Sequence, residues 1–251
     1  MKAIILAAGY ATRMFPLTEN TPKALLPFGG RCVIDYIIDQ LINLPAVNEI
    51  IVVTNDKYYG AFLKWAEAAN SSIPIKLLND GSTSNSDRLG AIGDIQFAVD
   101  KIKIDSDVLI IAADNYFTFN LKDMYDAFIK TNCDLLCAKH IEDKELLKGF
   151  AVAETDENNK ILTLVEKPQD PQSNTALFAV YFYKKETVPM FKKYLDDGNP
   201  FDAPGYFPQW LHKIKNIYAW FTDGECYDIG TIAAYNELNK KMENNTTEKR
   251  T

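Results

Sequence analysis

Apolar and polar positions along this chain fall into two kinds of stretch. Short apolar runs recur at 4–7 (IILA), 49–54 (EIIVVT), 108–112 (VLIIA) and 135–139 (LLCAK), with a shorter one at 75–78. Runs of this length, rich in Ile and Val, suit strands buried on both faces. Between them lie longer stretches with apolar residues at helical spacing, at 33–41, 58–69, 89–99 and 121–131. The alternation predicts an α/β fold with a mostly parallel, Rossmann-like central sheet and helices on both faces. After residue 150 the pattern becomes β-rich. Strands are predicted at 150–154, 161–166 and 177–183, with turn residues Asp156, Asn158 and Asn159 between the first two. Helices at 186–195 and 206–214, a strand at 217–221 and a helix at 232–242 complete the reading. No linker separates the halves, so 1–243 reads as one domain carrying a β-rich insertion, and 244–251 as a frayed polar tail. No repeat of the solenoid kind is visible, so an appended β-helix domain is not expected.

Composition narrows the function classes. The 251 residues carry a net charge of −7 with no long basic run, which argues against a nucleic-acid partner. No apolar run reaches the roughly 18 residues of a membrane span, and the N-terminus enters a strand with no signal-peptide pattern. The four cysteines, Cys32, Cys133, Cys137 and Cys226, show no C-x-x-C spacing. Buried free thiols in a reducing, cytoplasmic compartment are the expectation.

The first strand runs directly into LAAGYATRMFPLTENTPKALLP, residues 6–27. Ala7, Ala8, Gly9 and Ala11 have little or no side chain, so a ligand can approach the backbone and meet its N–H groups as anion donors. Arg13 and Lys23 add two positive charges. The chain has no G-x-x-x-x-G-K-[ST] string, so this is a polyphosphate cradle of a non-Walker type. The string resembles the signature loop of the sugar-phosphate nucleotidylyltransferases, the glucose-1-phosphate thymidylyltransferase-like proteins among them, which join a sugar 1-phosphate to a nucleoside triphosphate. Their usual form is L-A-A-G-x-G-T-R-L-x-P-L-T-x-x-x-P-K-x-L-L-P. Ala11 departs from it, standing where glycine is usual. The resemblance implies nucleotide binding by Leu6, Ala7, Ala8 and Gly9, and catalytic roles for Arg13 and Lys23.

Other motifs extend this reading. Asp114, in AADNYF after the apolar run at 108–112, is a carboxylate at a strand's carboxyl end, where Mg²⁺ can be shared with substrate phosphates. The Asp-Asn pair also suits a plain turn. The family's L-G-D-N string makes this aspartate a metal ligand, with Asn115 beside it near the sugar phosphate. CYDIGT, residues 226–231, resembles W-x-D-x-G-T, whose aspartate is the second metal ligand; that position is Asp228. The same segment reads as a helix start, with Thr231 as its cap. VEKP matches the family's E-K-P, which implies that Lys167 contacts the sugar phosphate and Glu166 the sugar hydroxyls. KGFAV places Gly149 where the family's glycine faces the sugar. Phe178 and Ala179 stand where threonine and glycine are usual, and Phe178 either lines the acceptor pocket or packs in the core. The segment 77–95 falls where the family reads the nucleobase. Asn79 and Gly90 are its candidate nucleotide contacts, with Asp80 and Arg88 as further candidates for the base edge. The DAPGYFPQW string, residues 202–210, is a candidate lining of the sugar pocket.

The reaction this resemblance implies is Mg²⁺-dependent attack by a sugar 1-phosphate on an NTP, giving an NDP-sugar and pyrophosphate. The expected partners are these two small molecules, with no nucleic acid and no membrane; assembly into a homo-oligomer stays open. Two alternatives stand beside it. One is cytidylyl transfer to a phosphorylated alcohol such as phosphocholine. The other is a metal-dependent glycosyltransferase, against which the missing D-x-D counts, since Tyr116 follows Asp114 by two residues.

Overall fold

Among the described residues, nine strands from both halves of the chain meet in one large sheet, and four short strands form two separate pairs. The structure, a computed structural model, describes residues 1–248. In chain order it holds β1 (Lys2–Leu6), β2 (Pro27–Phe28), β3 (Arg31–Cys32), α1 (Val33–Ile42), β4 (Glu49–Thr54), α2 (Asp56–Ala68), β5 (Ile75–Asn79), α3 (Gly90–Ile102), β6 (Val108–Ala112) and β7 (Asn115–Phe117). Then come α4 (Leu121–Thr131), β8 (Asp134–His140), α5 (Lys144–Leu147), β9 (Ala151–Thr155), β10 (Ile161–Glu166), β11 (Thr175–Tyr183), α6 (Val188–Asp196), α7 (Tyr206–Leu211), β12 (Ile217–Phe221), β13 (Cys226–Asp228) and α8 (Ile232–Glu248). The last helix thus runs past the predicted 242, and 249–251 of the expected frayed tail lie outside the described residues.

The run β5-β4-β1-β6 is parallel throughout, with Ile4 opposite both Ile51 and Ile110. Alternate residues of β1 face opposite layers. Ala3 and Ile5 pack with Ile34 and Ile37 of α1 and Phe62 of α2, while Ile4 packs with Ile92 and Ile95 of α3 and Phe191 of α6. Helices therefore cover both faces, as the unbroken apolar strands require.

β11 departs from the expected arrangement. It belongs to the β-rich half by sequence, yet it lies in the middle of the sheet. Val180–Tyr183 pair antiparallel with β6, and Thr175–Leu177 pair antiparallel with β9 along the same edge. On its other edge β11 pairs with β8, whose register breaks between Leu177 and Tyr181. At Phe178 and Ala179 the strand passes from one neighbour to the other, and the sheet opens there. β8 pairs in parallel with β12.

All four cysteines are free, but only Cys137 is buried; the other three are half-buried. Among the described residues, no helix is long and apolar enough to cross a membrane.

Candidate active site

Two cavities lie beyond the carboxyl ends of the parallel strands and meet at Arg13, Asp114 and Pro204. The first, about 420 Å³, is built on the loop after β1. Leu6, Ala7, Ala8, Gly9, Arg13 and Lys23 line it, as does Gly90. The loop is held from behind. Buried Asn55 donates from Nδ2 to the Ala8 carbonyl (2.8 Å) while its Oδ1 caps α2 at the Tyr58 N–H. The Tyr58 hydroxyl donates to the Thr18 carbonyl, and the Thr18 hydroxyl donates to the Ala11 carbonyl (2.8 Å). A Cβ added at Gly9 would meet nothing within 4 Å, so the loop's inner side is open to a ligand.

Ala11 adopts φ 47° and ψ 40°, the left-handed conformation. That is the physical reason glycine suits this position, and the alanine here bears a cost of about 1–2 kcal/mol. Lys167 also has a positive φ, 48°, held by its N–H donating to the Phe150 carbonyl (3.0 Å). Two side-chain-bearing residues in a sparsely populated region flank one cleft, an arrangement that accompanies functional sites.

The acidic centre is assembled by pairing rather than by one motif. β6 ends at Ala112, beside Leu6 of β1, which sets Asp114 next to the loop. β13 pairs antiparallel with β7, placing Asp228 opposite Asn115, and the Ile229 N–H donates to the Asp114 carbonyl (3.0 Å). Lys23 forms an ion pair with Asp114. Burial first, and repulsion by Asp114 second, push the Asp228 carboxyl up to about 6, against the attraction of Lys23, Arg13 and Lys167. The side chain still faces solvent in the cleft, so water tempers the contribution of burial. These five charged groups, drawn from four distant segments, therefore share one field.

The second cavity, about 540 Å³, occupies the opening along β11 between β6 and β9. Asn115, Gly149, Glu166, Lys167 and Asp228 line it. Glu166 is nearly enclosed, its side chain 5% exposed, and Lys167 Nζ lies 3.6 Å from its Oε1. Burial raises the Glu166 carboxyl, with Lys167 pulling the other way. Gly205 permits this placement, because a Cβ there would sit 1.9 Å from Glu166 Oε2. The Nδ2 of Asn115 is buried with no hydrogen-bond partner, which marks it as a donor awaiting an acceptor. Leu146, Phe150, Leu177 and Phe178 supply apolar wall. Phe178 answers both readings at once. It is 3% exposed, packs in the core with Val180 and Phe182, and meets Phe150 at 4.8 Å while bordering the cavity. Thr231 caps the start of α8, its hydroxyl oxygen accepting from the Ala234 N–H (3.2 Å), so the helix-start reading of CYDIGT stands beside Asp228.

Among the predicted contacts Asn79 is not brought to the first cavity. Its amide donates to Asp56 (2.7 Å) and its oxygen accepts from the Gly81 N–H (2.9 Å), so both ends are turned toward α2 and the following turn. Gly90 does line the cavity, with φ +74°, and a Cβ there would come within 2.7 Å of the Phe201 carbonyl. Arg88 lines it too, but its guanidinium is committed to Asp202 through two 2.8 Å bonds. Of the 202–210 string, Pro204 and Gly205 border the second cavity, and Asp202 and Pro204 the first. Sequence reasoning missed Asp94, Asn55 and Ala234. Asp94 had a visible signal: an aspartate one turn after Gly90, among apolar positions of a buried helix.

Comparison with known proteins agrees with this architecture. The family model described as nucleotidyl transferase matches residues 2–245. A glucose-1-phosphate adenylyltransferase of Clostridium novyi (strain NT) is 26% identical over 96% of this chain and 66% of its own length. One from Acetivibrio thermocellus is 28% identical, over 96% of this chain and 59% of its own. The chain thus spans somewhat under two thirds of these relatives. A solved UDP-glucose pyrophosphorylase complexed with UDP-glucose superposes with a TM-score of 0.82 at 20% identity, covering 97% of this chain and 98% of that one, a likeness of fold.

Proposed function

We propose, from the premise that this chain belongs to the nucleotidyl transferase family, that it transfers a nucleotidyl group from an NTP to a sugar 1-phosphate and releases pyrophosphate. The observation that carries this reading is the meeting of the two cavities. One is backed by a small-residue loop with Arg13 and Lys23, the other by Glu166, Lys167 and Asn115, and Asp114 borders both.

The triphosphate lies along the loop after β1. The acceptor lies in the second cavity with its phosphate toward Lys167. A phosphate oxygen of the acceptor attacks the α-phosphorus, the bond from that phosphorus to the bridging oxygen of pyrophosphate breaks, and pyrophosphate leaves with the electron pair. The attacking monoester has a second pKa of about 6, so it is already ionised and no general base is required. Arg13 faces the leaving side and offsets its growing charge. Lys23 and Lys167 reduce repulsion between the two anions as they meet.

Asp114 and Asp228 fit a Mg²⁺ site of the kind completed by substrate. No group of three or more metal-ligating side chains exists among the described residues, while two adjacent carboxylates plus phosphate oxygens suit Mg²⁺. Bound there, the ion would neutralise phosphate charge and align the reacting groups. Before substrate arrives, Lys23 holds the Asp114 carboxylate in place.

A phosphorylated alcohol smaller than a hexose is the second reading, favoured by one observation: the acceptor cavity has Phe178 where a hydroxyl-bearing residue is usual. We place the enzyme in a reducing, cytoplasmic compartment, in keeping with four free thiols. The experiment is release of pyrophosphate on mixing each of five NTPs with glucose 1-phosphate, mannose 1-phosphate and phosphocholine. Release that requires both substrates supports transfer. Hydrolysis of NTP alone, or release with no phosphorylated acceptor, overturns it.

A further inference from the structure

The DAPGYFPQW string, residues 202–210, does more than line a cavity. β10 ends at Glu166 and is the outer strand of the sheet, with β9 as its neighbour. The Lys167 N–H donates back to the Phe150 carbonyl just before β9 (3.0 Å), and the N–H of the preceding residue, Glu166, points away from that strand. Gln209 of α7 meets it there, its Oε1 accepting at 2.6 Å. Gly205 lies one turn before Gln209, and the Gln209 N–H donates to the Gly205 carbonyl (3.1 Å). One face of this short helix therefore meets Glu166 twice: Gly205 leaves room for the carboxylate, and Gln209 takes the peptide N–H. The helix is itself anchored, since Phe207 is buried and stacks on Phe191 of α6 at 3.9 Å.

What this contact governs is the end of the strand. Glu166 and Lys167 both line the second cavity, with Lys167 Nζ 3.6 Å from Glu166 Oε1. Lys167 is held at φ 48°, a conformation that a residue with a side chain keeps only when its surroundings impose it. Its own N–H is tied to Phe150 on one edge, and the Glu166 N–H to Gln209 on the other, so this two-residue step is clamped from both sides. Without the Gln209 oxygen, a partly buried N–H at a sheet edge loses its partner. Gln209 itself borders neither cavity. We propose that Gln209 is a positioning residue for the acceptor: through the Glu166 peptide it fixes where the Lys167 ammonium and the Glu166 carboxylate stand in the second cavity.

This inference rests on the acceptor side of the proposed reaction, so its test separates acceptor from NTP. The probe is whichever of glucose 1-phosphate, mannose 1-phosphate and phosphocholine gives the fastest release of pyrophosphate from the parent enzyme with its best NTP. Gln209→Leu keeps the side chain's approximate size and removes the oxygen. It should raise the acceptor KM about tenfold, the worth of one lost hydrogen bond, while the NTP KM stays within about twofold. Gln209→Asn, whose oxygen stops one methylene short, should show the same split, and it decides alone if Gln209→Leu does not fold. Gln209→Glu keeps an oxygen for the Glu166 N–H and should lie nearer the parent acceptor KM than either. A folded Gln209→Asn or Gln209→Leu protein with the parent's acceptor KM overturns the proposal. So does an equal rise in both KM values, or a Gln209→Glu protein no nearer the parent than the other two. No release from the parent enzyme with any probe overturns the nucleotidyl-transfer reading and this inference with it, whereas parent turnover with an unmoved acceptor KM in the variants overturns only this one.

Discussion

The two cavities differ in how they are made. The nucleotide cradle comes chiefly from one continuous stretch, the loop after β1 with Arg13 and Lys23, braced by Asn55 and Tyr58 behind it. The acceptor chamber draws on segments scattered from Arg13 to Ala234, and exists because β11 leaves β9 before it joins β6. The cradle presents backbone groups and fixed cations, which suits a polyphosphate. The chamber presents side chains from several elements, and those can change independently. On the proposed reading, one region fixes the chemistry and the other sets the acceptor.

The largest expected effect lies where the two regions meet. Asp114→Asn should abolish Mg²⁺-dependent turnover while the melting temperature stays near that of the parent, because the side chain is partly exposed and its isostere keeps the packing. Normal turnover by the folded variant removes Asp114 from the shared centre. On the cradle side, Arg13→Ala should lower kcat by ~10²–10³ with a smaller change in NTP affinity, since the guanidinium acts on charge that grows in the transition state. Loss of affinity at an unchanged kcat would move Arg13 from the leaving group to ground-state binding.

The same contrast decides what could be read before the structure was known. The cradle was legible nearly residue by residue, because its geometry is local: small residues, Arg13 and Lys23 at short spacings on one loop. The long elements were legible too, since α1, α2 and α4 carry helical periodicity and the parallel strands are unbroken apolar runs. The chamber was not. β7 and β13 are three residues each, too short for any periodicity, yet their pairing sets Asp228 opposite Asn115. The central place of β11 depends on its pairing with β6, more than 60 residues away in sequence, as in Val180 with Ile111. Asn79 was misplaced for a related reason: a polar residue at a strand end has two sides to choose from, and Asp56 of the adjoining helix captured it.

Within the chamber, Phe178→Thr should destabilise by ~3 kcal/mol or more, because the ring is core as well as wall. If the wall role matters to specificity, the surviving activity should shift toward glucose 1-phosphate relative to the native acceptor. A variant of unchanged stability and unchanged preference would show that the chamber's apolar wall does not depend on this ring. The smallest effect is expected in the cradle at Ala11. Ala11→Gly relieves the left-handed alanine but adds freedom to the unfolded chain, leaving a net gain below about 1 kcal/mol. Thermal unfolding should show a slightly higher melting temperature, and a clear drop would mean the methyl group packs usefully.

The division of labour between the regions is tested most directly by comparing Lys23→Ala with Lys167→Ala in steady-state kinetics, varying NTP and acceptor separately. Lys167→Ala should raise the KM for the phosphorylated acceptor more than that for the NTP. Lys23→Ala should depress kcat and disturb the NTP side, leaving the acceptor KM the less affected of the two. Equal effects of both variants on both substrates, or an effect of Lys167→Ala confined to the NTP, would contradict the assignment of one cavity to each substrate.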